Sequence, residues 1–260
     1  MNRRLSSGEN KIRLDRLLVE RGFEETRQKA QALIMAGRVL VNGKKIEKAG
    51  TLVDLESSIE ILGSASRYVG RGGLKLEAAL DEFGIDVRSK VYLDIGSSTG
   101  GFSDCLLQRG AARIIAVDVG TNQMEWRLRQ DSRIRLLERT NARFLEWEQI
   151  REHVDGITMD LSFISSTLVL PRIVQFCRPG TRLLLLVKPQ FEAGKHQVGR
   201  GGIVRDERLQ KECVEKVRQC AEAQGFQDFR TMLCPVPGAE GNREFFLTAV
   251  YSAAAAQKHE

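Results

Sequence analysis

From Val91 onward the sequence alternates short apolar runs with longer stretches of helical periodicity. The runs are Val91–Ile95, Arg113–Val119, Ile134–Leu137, Gly156–Asp160, Arg182–Lys188, Phe229–Leu233 and Glu244–Tyr251. Helices are expected over 101–109, 123–130, 144–151, 165–177 and 206–223. Such alternation requires an open, mainly parallel α/β sheet, since parallel neighbours need a crossover and the helices supply it. Right-handed crossovers then put a ligand at the carboxyl ends of the strands.

The first fifth of the chain reads differently. Ile12, Leu14, Leu17, Leu18 and Val19 predict a short amphipathic helix ended at Gly22. Thr26 caps a second, with Ala30, Leu33, Ile34 and Met35 on one face, stopped by Gly37. Arg38–Val41, Asn42-Gly43 and Lys44–Ile46 predict a hairpin, because Asn-Gly favours the tight turn that joins twisted strands. Leu52, Val53, Ile59, Ile61 and Leu62 complete a small β element. The expected organisation is a polar N-terminus at 1–11 and an α+β module at 12–62. A Gly-rich linker at 63–72, the α/β domain at 73–252 and a tail at 253–260 follow. A helix from Gly73 to Phe83, packing through Leu74, Ala78 and Leu80, opens the second domain.

Charge follows this division. The net charge is +6, and residues 1–48 carry the whole excess. A concentrated positive face suits a polyanion, although a solvated basic face would look the same from charge alone. Arg13, Arg16, Arg27, Lys29, Arg38, Lys44 and Lys45 flank the helices and the hairpin. Phe23 is the one aromatic among them, so shape and phosphate recognition of structured RNA is expected rather than base stacking. Arg67, Arg71, Lys195 and Arg200 extend the candidate RNA contacts.

Several classes are excluded. The longest apolar run, Leu183–Val187, is far short of the roughly 20 residues a membrane helix needs. No apolar segment follows the basic N-terminus, so no secretory signal is expected. Five scattered cysteines and three distant histidines give no zinc or disulfide pattern, which fits a cytoplasmic protein without a metal.

The chemistry concentrates at strand ends. Val91–Ile95 runs into Gly96-Ser97-Ser98-Thr99-Gly100-Gly101 and a helix from Phe102, a turn whose glycines allow close approach to a ligand. The spacing is not G-x-G-x-x-G, which argues against a dinucleotide. Asp94 is expected to face an ammonium group. Asp118, followed by Val119, can accept both hydroxyls of a ribose. Lys75, Asp160, Lys188 and Glu244 are two cations and two carboxylates able to converge beside this cleft. Each also admits a bland role: a surface lysine, a helix cap, a structural ion pair and a solvated strand residue, respectively.

The acid–glycine–acid pattern resembles that of S-adenosylmethionine-dependent methyltransferases with a Rossmann-like sheet. That resemblance brings Asn141 toward the adenine and Asp160 toward the methionine end. Lys75, Asp160, Lys188 and Glu244 resemble the tetrad of FtsJ-type ribose 2′-O-methyltransferases. Residues 12–62, with L-D-R-L-L-V-E-R-G and G-R-V-L-V-N-G-K, resemble the S4 RNA-binding domain. The whole chain resembles the TlyA (hemolysin A) family of ribosomal RNA methyltransferases. The resemblance is carried by S-R-Y-V-G-R-G-G-L-K at 66–75, D-I-G-S-S-T-G-G-F at 94–102, D-L-S-F-I-S at 160–165, V-K-P-Q-F-E at 187–192, V-G-R-G-G-I-V-R-D at 198–206 and G-N-R-E-F-F at 241–246.

What the resemblance implies is methyl transfer from S-adenosylmethionine to a ribose 2′-hydroxyl of ribosomal RNA on ribosomal subunits, by a monomer. Lys188 is the implied base, with Lys75, Asp160 and Glu244 orienting the reactants. A non-catalytic S4 protein of ribosome assembly is the competing reading. A membrane-active hemolysin would need an insertion element that is not apparent. Residues 190–205 are expected to form a mobile cationic lid in which His196 is a loop residue. Trp126 and Trp147 are expected to pack helices, and Gly72-Gly73 to tune the linker.

Overall fold

A computed structural model describes residues 11–21, 23, 24, 26–62, 67–194, 197–238 and 241–252, the side chains of Glu60 and Arg200 excepted. The expected N-terminal segment before residue 11, the helix stop at Gly22, the linker at 63–66, Lys195, His196 and the tail from 253 lie outside the described residues. The chain divides into two compact units, Met1–Ser66 and Arg67–Glu260.

In the first unit β1 (Lys11–Arg13) leads directly into α1 (Leu14–Glu20), followed by α2 (Arg27–Met35). β2 (Val39–Val41) and β3 (Lys44–Ile46) form the hairpin, with Asn42 and Gly43 both at positive φ. β4 (Leu52–Asp54) pairs with β1, and β5 (Ile59–Ile61) pairs with β2. Leu14, Leu17, Leu18, Ala30, Ile34, Val39, Val41 and Val53 form the core. Thr26 caps α2 by accepting the Lys29 amide. Met35, expected in the core, is exposed, as are Leu52 and Leu62. Ile12 belongs to a strand rather than to the first helix.

Arg13 and Arg27 are not simple surface cations. Both donate to the buried carboxylate of Asp15, at 3.0 and 2.9 Å, and Gln31 donates at 2.8 Å. These donors hold Asp15 well below the usual carboxylate range, against the opposing effect of its burial.

The second unit opens with α3 (Arg71–Phe83), then β6 (Val91–Ile95), α4 (Gly101–Gln108), β7 (Arg113–Val117), α5 (Trp126–Arg129) and β8 (Ile134–Leu137). It continues through α6 (Trp147–Ile150), β9 (Gly156–Met159), α7 (Leu170–Ile173), β10 (Arg182–Val187) and α8 (Pro189–Glu192), and ends with α9 (Glu207–Ala223), β11 (Phe226–Leu233) and β12 (Phe245–Tyr251). Seven strands form one sheet in the order β11-β12-β10-β9-β6-β7-β8. β6 to β10 run parallel, and β12 is antiparallel to both neighbours. The chain order reverses at β6, so the crevice between the ends of β6 and β9 is where an open sheet of this kind takes a ligand.

Boundaries differ from expectation in instructive ways. β7, β9 and β10 stop at Val117, Met159 and Val187, leaving Asp118, Asp160 and Lys188 just beyond the strands. The helix expected over 165–177 breaks into a 3-10 turn at Ser166–Leu168, α7, and a second 3-10 turn at Val174–Phe176. The one expected over 144–151 becomes a 3-10 turn at Ala142–Phe144 plus α6, and that over 123–130 shrinks to α5.

α3 starts at Arg71, so Gly72 and Gly73 are helical rather than linker. Gly101 at the start of α4 lets the two helix backbones close: a Cβ there would stand 3.0 Å from the Gly73 nitrogen and 3.3 Å from Gly72 Cα. Leu76, Ala79, Leu80 and Phe83 are the packing face, whereas Leu74 is exposed.

Candidate active site

The crevice at the switch point holds a cavity of about 470 Å³. Ile95, Gly96, Ser98, Val117, Asp118, Val119, Gln123, Asn141, Ala142, Asp160, Leu161, Ser162, Phe163, Ile164 and Val169 line it. A smaller recess of about 150 Å³ shares Gly96, Ser98 and Asp160. It adds Gly70, Arg71, Gly72, Ser97, Thr99, Gly101 and Phe102.

The turn after β6 is held open by its own backbone. Gly96 has φ 83°, and a side chain there would collide with the Asp160 carbonyl. Asp118 accepts the Ser98 amide at 2.8 Å and the Gly120 amide at 2.7 Å, fixing the carboxylate at the cavity wall. Asn141 accepts the Arg143 amide at 3.1 Å, which caps the 3-10 turn and leaves its amide nitrogen available. Ser97 Oγ is buried and makes no hydrogen bond among the described residues.

Asp94 lies behind the cavity wall. It is fully buried, does not line the cavity, and accepts Ser103 Oγ at 2.6 Å and Thr158 Oγ1 at 2.8 Å. It braces β6 against α4 and β9. Burial pushes its carboxyl up to about 6, the two hydroxyls opposing that shift.

The four candidate reactive residues form two ion pairs. Lys75 Nζ donates to Glu244 Oε2 at 2.5 Å, with 9% and 2% of the side chains exposed. Lys75 is therefore not a surface lysine, nor Glu244 a solvated strand residue. Lys188 Nζ lies 2.6 Å from Asp160 Oδ1 and donates to Ser162 Oγ at 3.0 Å. The Asp160 contact is an ion pair without well-directed hydrogen-bond geometry, since Oδ1 otherwise has no hydrogen-bond partner. A Cβ on Gly72, on the same helix as Lys75, would stand 3.9 Å from Asp160 Oδ2, which ties the two pairs to one locality.

Three participants escaped the sequence reading although they sit inside quoted segments. Ser162 and Phe163 follow Asp160. Phe163 has φ 66° and is 91% exposed, its ring 5.2 Å from that of Phe191. Glu192 is a buried carboxylate that accepts Ser165 Oγ at 2.5 Å and the Ser166 amide at 2.7 Å, clamping the segment after β9 to α8. A run of small and cationic residues masked it.

Of the lid expected over 190–205, the end at Gly202–Val204 is anchored. Asn242 accepts the Val204 amide at 3.2 Å and donates to the Gly202 carbonyl at 3.0 Å, and Gln210 donates to the Val204 carbonyl at 2.7 Å. Trp126 is 70% exposed rather than packed, while Trp147 stacks on Phe176. Arg71 is exposed at the recess; Arg67 pairs with Glu77, and Lys45 pairs with Glu47 at 2.8 Å. Arg38 donates to the Leu62 carbonyl at 3.1 Å, whereas Arg16, Lys29 and Lys44 have exposed side chains. Among the described residues no group of His, Cys, Asp and Glu could hold a metal, and no helix could cross a membrane.

A parallel sheet reversing at β6, with a glycine turn and a carboxylate at the next strand end, defines a methyltransferase domain. The FtsJ-like methyltransferase model matches residues 68–251 and the S4 domain model matches 12–59. The chain belongs to the FtsJ-like methyltransferase family and carries an S4 domain. It is 44% identical over 238 residues to the Mycobacterium tuberculosis 16S/23S rRNA (cytidine-2′-O)-methyltransferase TlyA, covering 91% of this chain and 89% of that one. It is 35% identical to the Campylobacter jejuni 23S rRNA (cytidine-2′-O)-methyltransferase TlyA, covering 88% and 95%. A solved structure from Streptococcus thermophilus that carries a provisional hemolysin name superposes with a TM-score of 0.73 at 40% identity, covering 94% of this chain and 90% of that one.

Proposed function

We propose that this chain methylates a ribose 2′-hydroxyl of ribosomal RNA, a cytidine as in the named relatives, using S-adenosylmethionine, with the S4 unit docking on folded rRNA. The observation that carries the reading is the Lys188–Asp160 pair at the mouth of the cavity, beside the buried Lys75–Glu244 pair.

The cavity suits the cofactor. Ile95, Val117, Val119, Leu161, Ile164 and Val169 supply an apolar wall and Asp118 an acceptor for ribose hydroxyls, while in the adjoining recess Ser97 Oγ has no partner among the described residues. Bound there, the sulfonium supplies an electrophilic methyl group. On this reading Asp160, in the cavity wall, and Lys188, 2.6 Å from it, would flank the nucleophilic oxygen.

A 2′-hydroxyl is a very weak acid, so its proton must leave as the oxygen attacks. Lys188 can take that proton only as the neutral amine. For a lysine of ordinary pKa about 10.4 to work near 7.5, the environment must supply roughly 4 kcal/mol. Phe163 presents a largely solvated ring in the same locality as Lys188, a surface on which an unstacked base can lie.

The S4 unit contributes phosphate contacts through Arg16, Lys29 and Lys44. Arg13 and Arg27 shape the surface through Asp15 and offer only their remaining N–H groups. On this reading the protein works in the cytoplasm with ribosomes, as a monomer.

The test is tritiated methyl transfer from S-adenosylmethionine to unmodified ribosomal subunits and to free rRNA, wild type beside Lys188→Ala. Label with wild type alone, in RNA digests as 2′-O-methylcytidine, is the expected result. Absence of label on every substrate despite cofactor binding would favour the non-catalytic S4 protein.

A further inference from the structure

We propose that Ser162 is a positioning residue that sets the direction of the Lys188 amine; the inference rests on the reading of Lys188 as the base. The argument is one of valence. An ammonium group has three N–H bonds, but a neutral amine has two and one lone pair. Two acceptors touch Lys188 Nζ, Asp160 Oδ1 at 2.6 Å and Ser162 Oγ at 3.0 Å. The Ser162 contact is a directed hydrogen bond, and the Asp160 contact an ion pair. With one N–H fixed on Ser162 and the second drawn toward the Asp160 charge, the lone pair has a single remaining tetrahedral direction.

The other surroundings of the nitrogen do not compete for that role. The Phe191 ring lies 6.0 Å away and offers only a weak face contact. Glu192, on the same short helix, spends its carboxylate on Ser165 and Ser166. Glu244 spends one oxygen on Lys75. Asp160 alone would leave the amine free to rotate about the Cε–Nζ bond. Ser162 removes that freedom. It is exposed and lines the cavity, so its hydroxyl has no evident core duty.

The step it serves balances. The 2′-oxygen forms a bond to the methyl carbon, the carbon–sulfur pair stays on sulfur, and the hydroxyl proton passes to Lys188 Nζ. The resulting ammonium keeps Asp160 and Ser162 as acceptors and returns its third proton to water. Alignment, rather than basicity, is what Ser162 adds. Its loss should therefore lower the pH-independent rate and leave cofactor affinity alone.

The experiment uses the full chain with unmodified ribosomal subunits under single-turnover conditions from pH 6 to 10. Ser162→Ala, Ser162→Thr and Lys188→Ala are compared with wild type, and S-adenosylmethionine binding is measured by calorimetry. Ser162→Ala should lower the high-pH plateau about tenfold, the order of one hydrogen bond, with cofactor Kd unchanged. Ser162→Thr, which keeps the hydroxyl, should restore most of the plateau. A wild-type plateau in Ser162→Ala while Lys188→Ala is inactive would overturn the Ser162 role and leave the base intact. Full activity in Lys188→Ala would overturn the base and the inference with it. A changed cofactor Kd in Ser162→Ala would reassign Ser162 to the cavity wall and sink the proposal.

Discussion

Lys75 of α3 and Glu244, the residue before β12, are 169 positions apart and meet at 2.5 Å out of contact with bulk water. A buried pair of this kind is weak evidence for stability, because desolvation offsets the attraction, but it cannot be halved cheaply. Glu244→Leu should destabilise the second unit by about 3–5 kcal/mol by stranding a buried ammonium, and Lys75→Met by a similar amount by stranding the carboxylate. Lys75→Met combined with Glu244→Leu should cost clearly less than either single change. Urea unfolding of the four proteins closes the cycle, and additive effects would contradict a coupled pair.

Asp94 makes the stability of the second unit depend on pH. Its folded-state pKa of about 6 lies above the ordinary value near 4. Between those values the folded protein holds a proton that the unfolded chain has released, so stability falls as pH rises through that window. The loss is complete above pH 6 and amounts to about 3 kcal/mol at most. Asp94→Asn should remove this dependence, becoming relatively more stable than wild type from pH 4 to pH 7. Parallel curves for the two proteins would refute the assignment.

Asp118 should govern cofactor affinity. Asp118→Ala removes the acceptor and frees the Ser98 and Gly120 amides it fixes. The expected rise in S-adenosylmethionine Kd is about 10–100-fold, by calorimetry. An unchanged Kd would move the cofactor elsewhere in the cavity.

Within the S4 unit the basic residues should separate into two kinds. Charge reversal at Arg16 and Lys44 should weaken RNA binding and flatten its salt dependence. On a log–log plot the slope should fall by roughly 0.7–0.9 for each phosphate that is no longer neutralised. Asp15→Ala should instead unfold the unit at lower urea, since it leaves Arg13, Arg27 and Gln31 without their shared acceptor. Its native contribution is present above the ordinary carboxylate pKa and fades as pH falls below it. Equal effects of both substitutions on salt slope would contradict the separation.

Much of this was legible in the chain itself. The apolar runs located the parallel strands because strands buried on both faces leave a continuous signature, and Asn42-Gly43 announced its turn through backbone preference alone. What stayed hidden depended on distant partners. Ile12 fits a helical period, yet β1 forms because β4 offers it a ladder 41 residues away. Asp94 looked like a ligand contact since nothing near it in sequence reveals the hydroxyls of Ser103 and Thr158. The 165–177 helix breaks for a local reason, at Pro171, which has no N–H to offer the Thr167 carbonyl, and a 3-10 turn precedes it. Ser162 and Phe163 were in view but carried no chemistry until Lys188 and Phe191 stood beside them.

β12 lies between β10 and β11, and the residue at its entrance completes the pair with Lys75. A chain emerging from the ribosome therefore has β6, its glycine turn and Lys188 before it has Glu244. Until the final strand slides into the gap, β10 presents a bare edge and Lys75 has no counter-charge. Pairing of Lys75 thus waits for β12, and a product truncated before residue 244 retains the glycine turn without the ion pair.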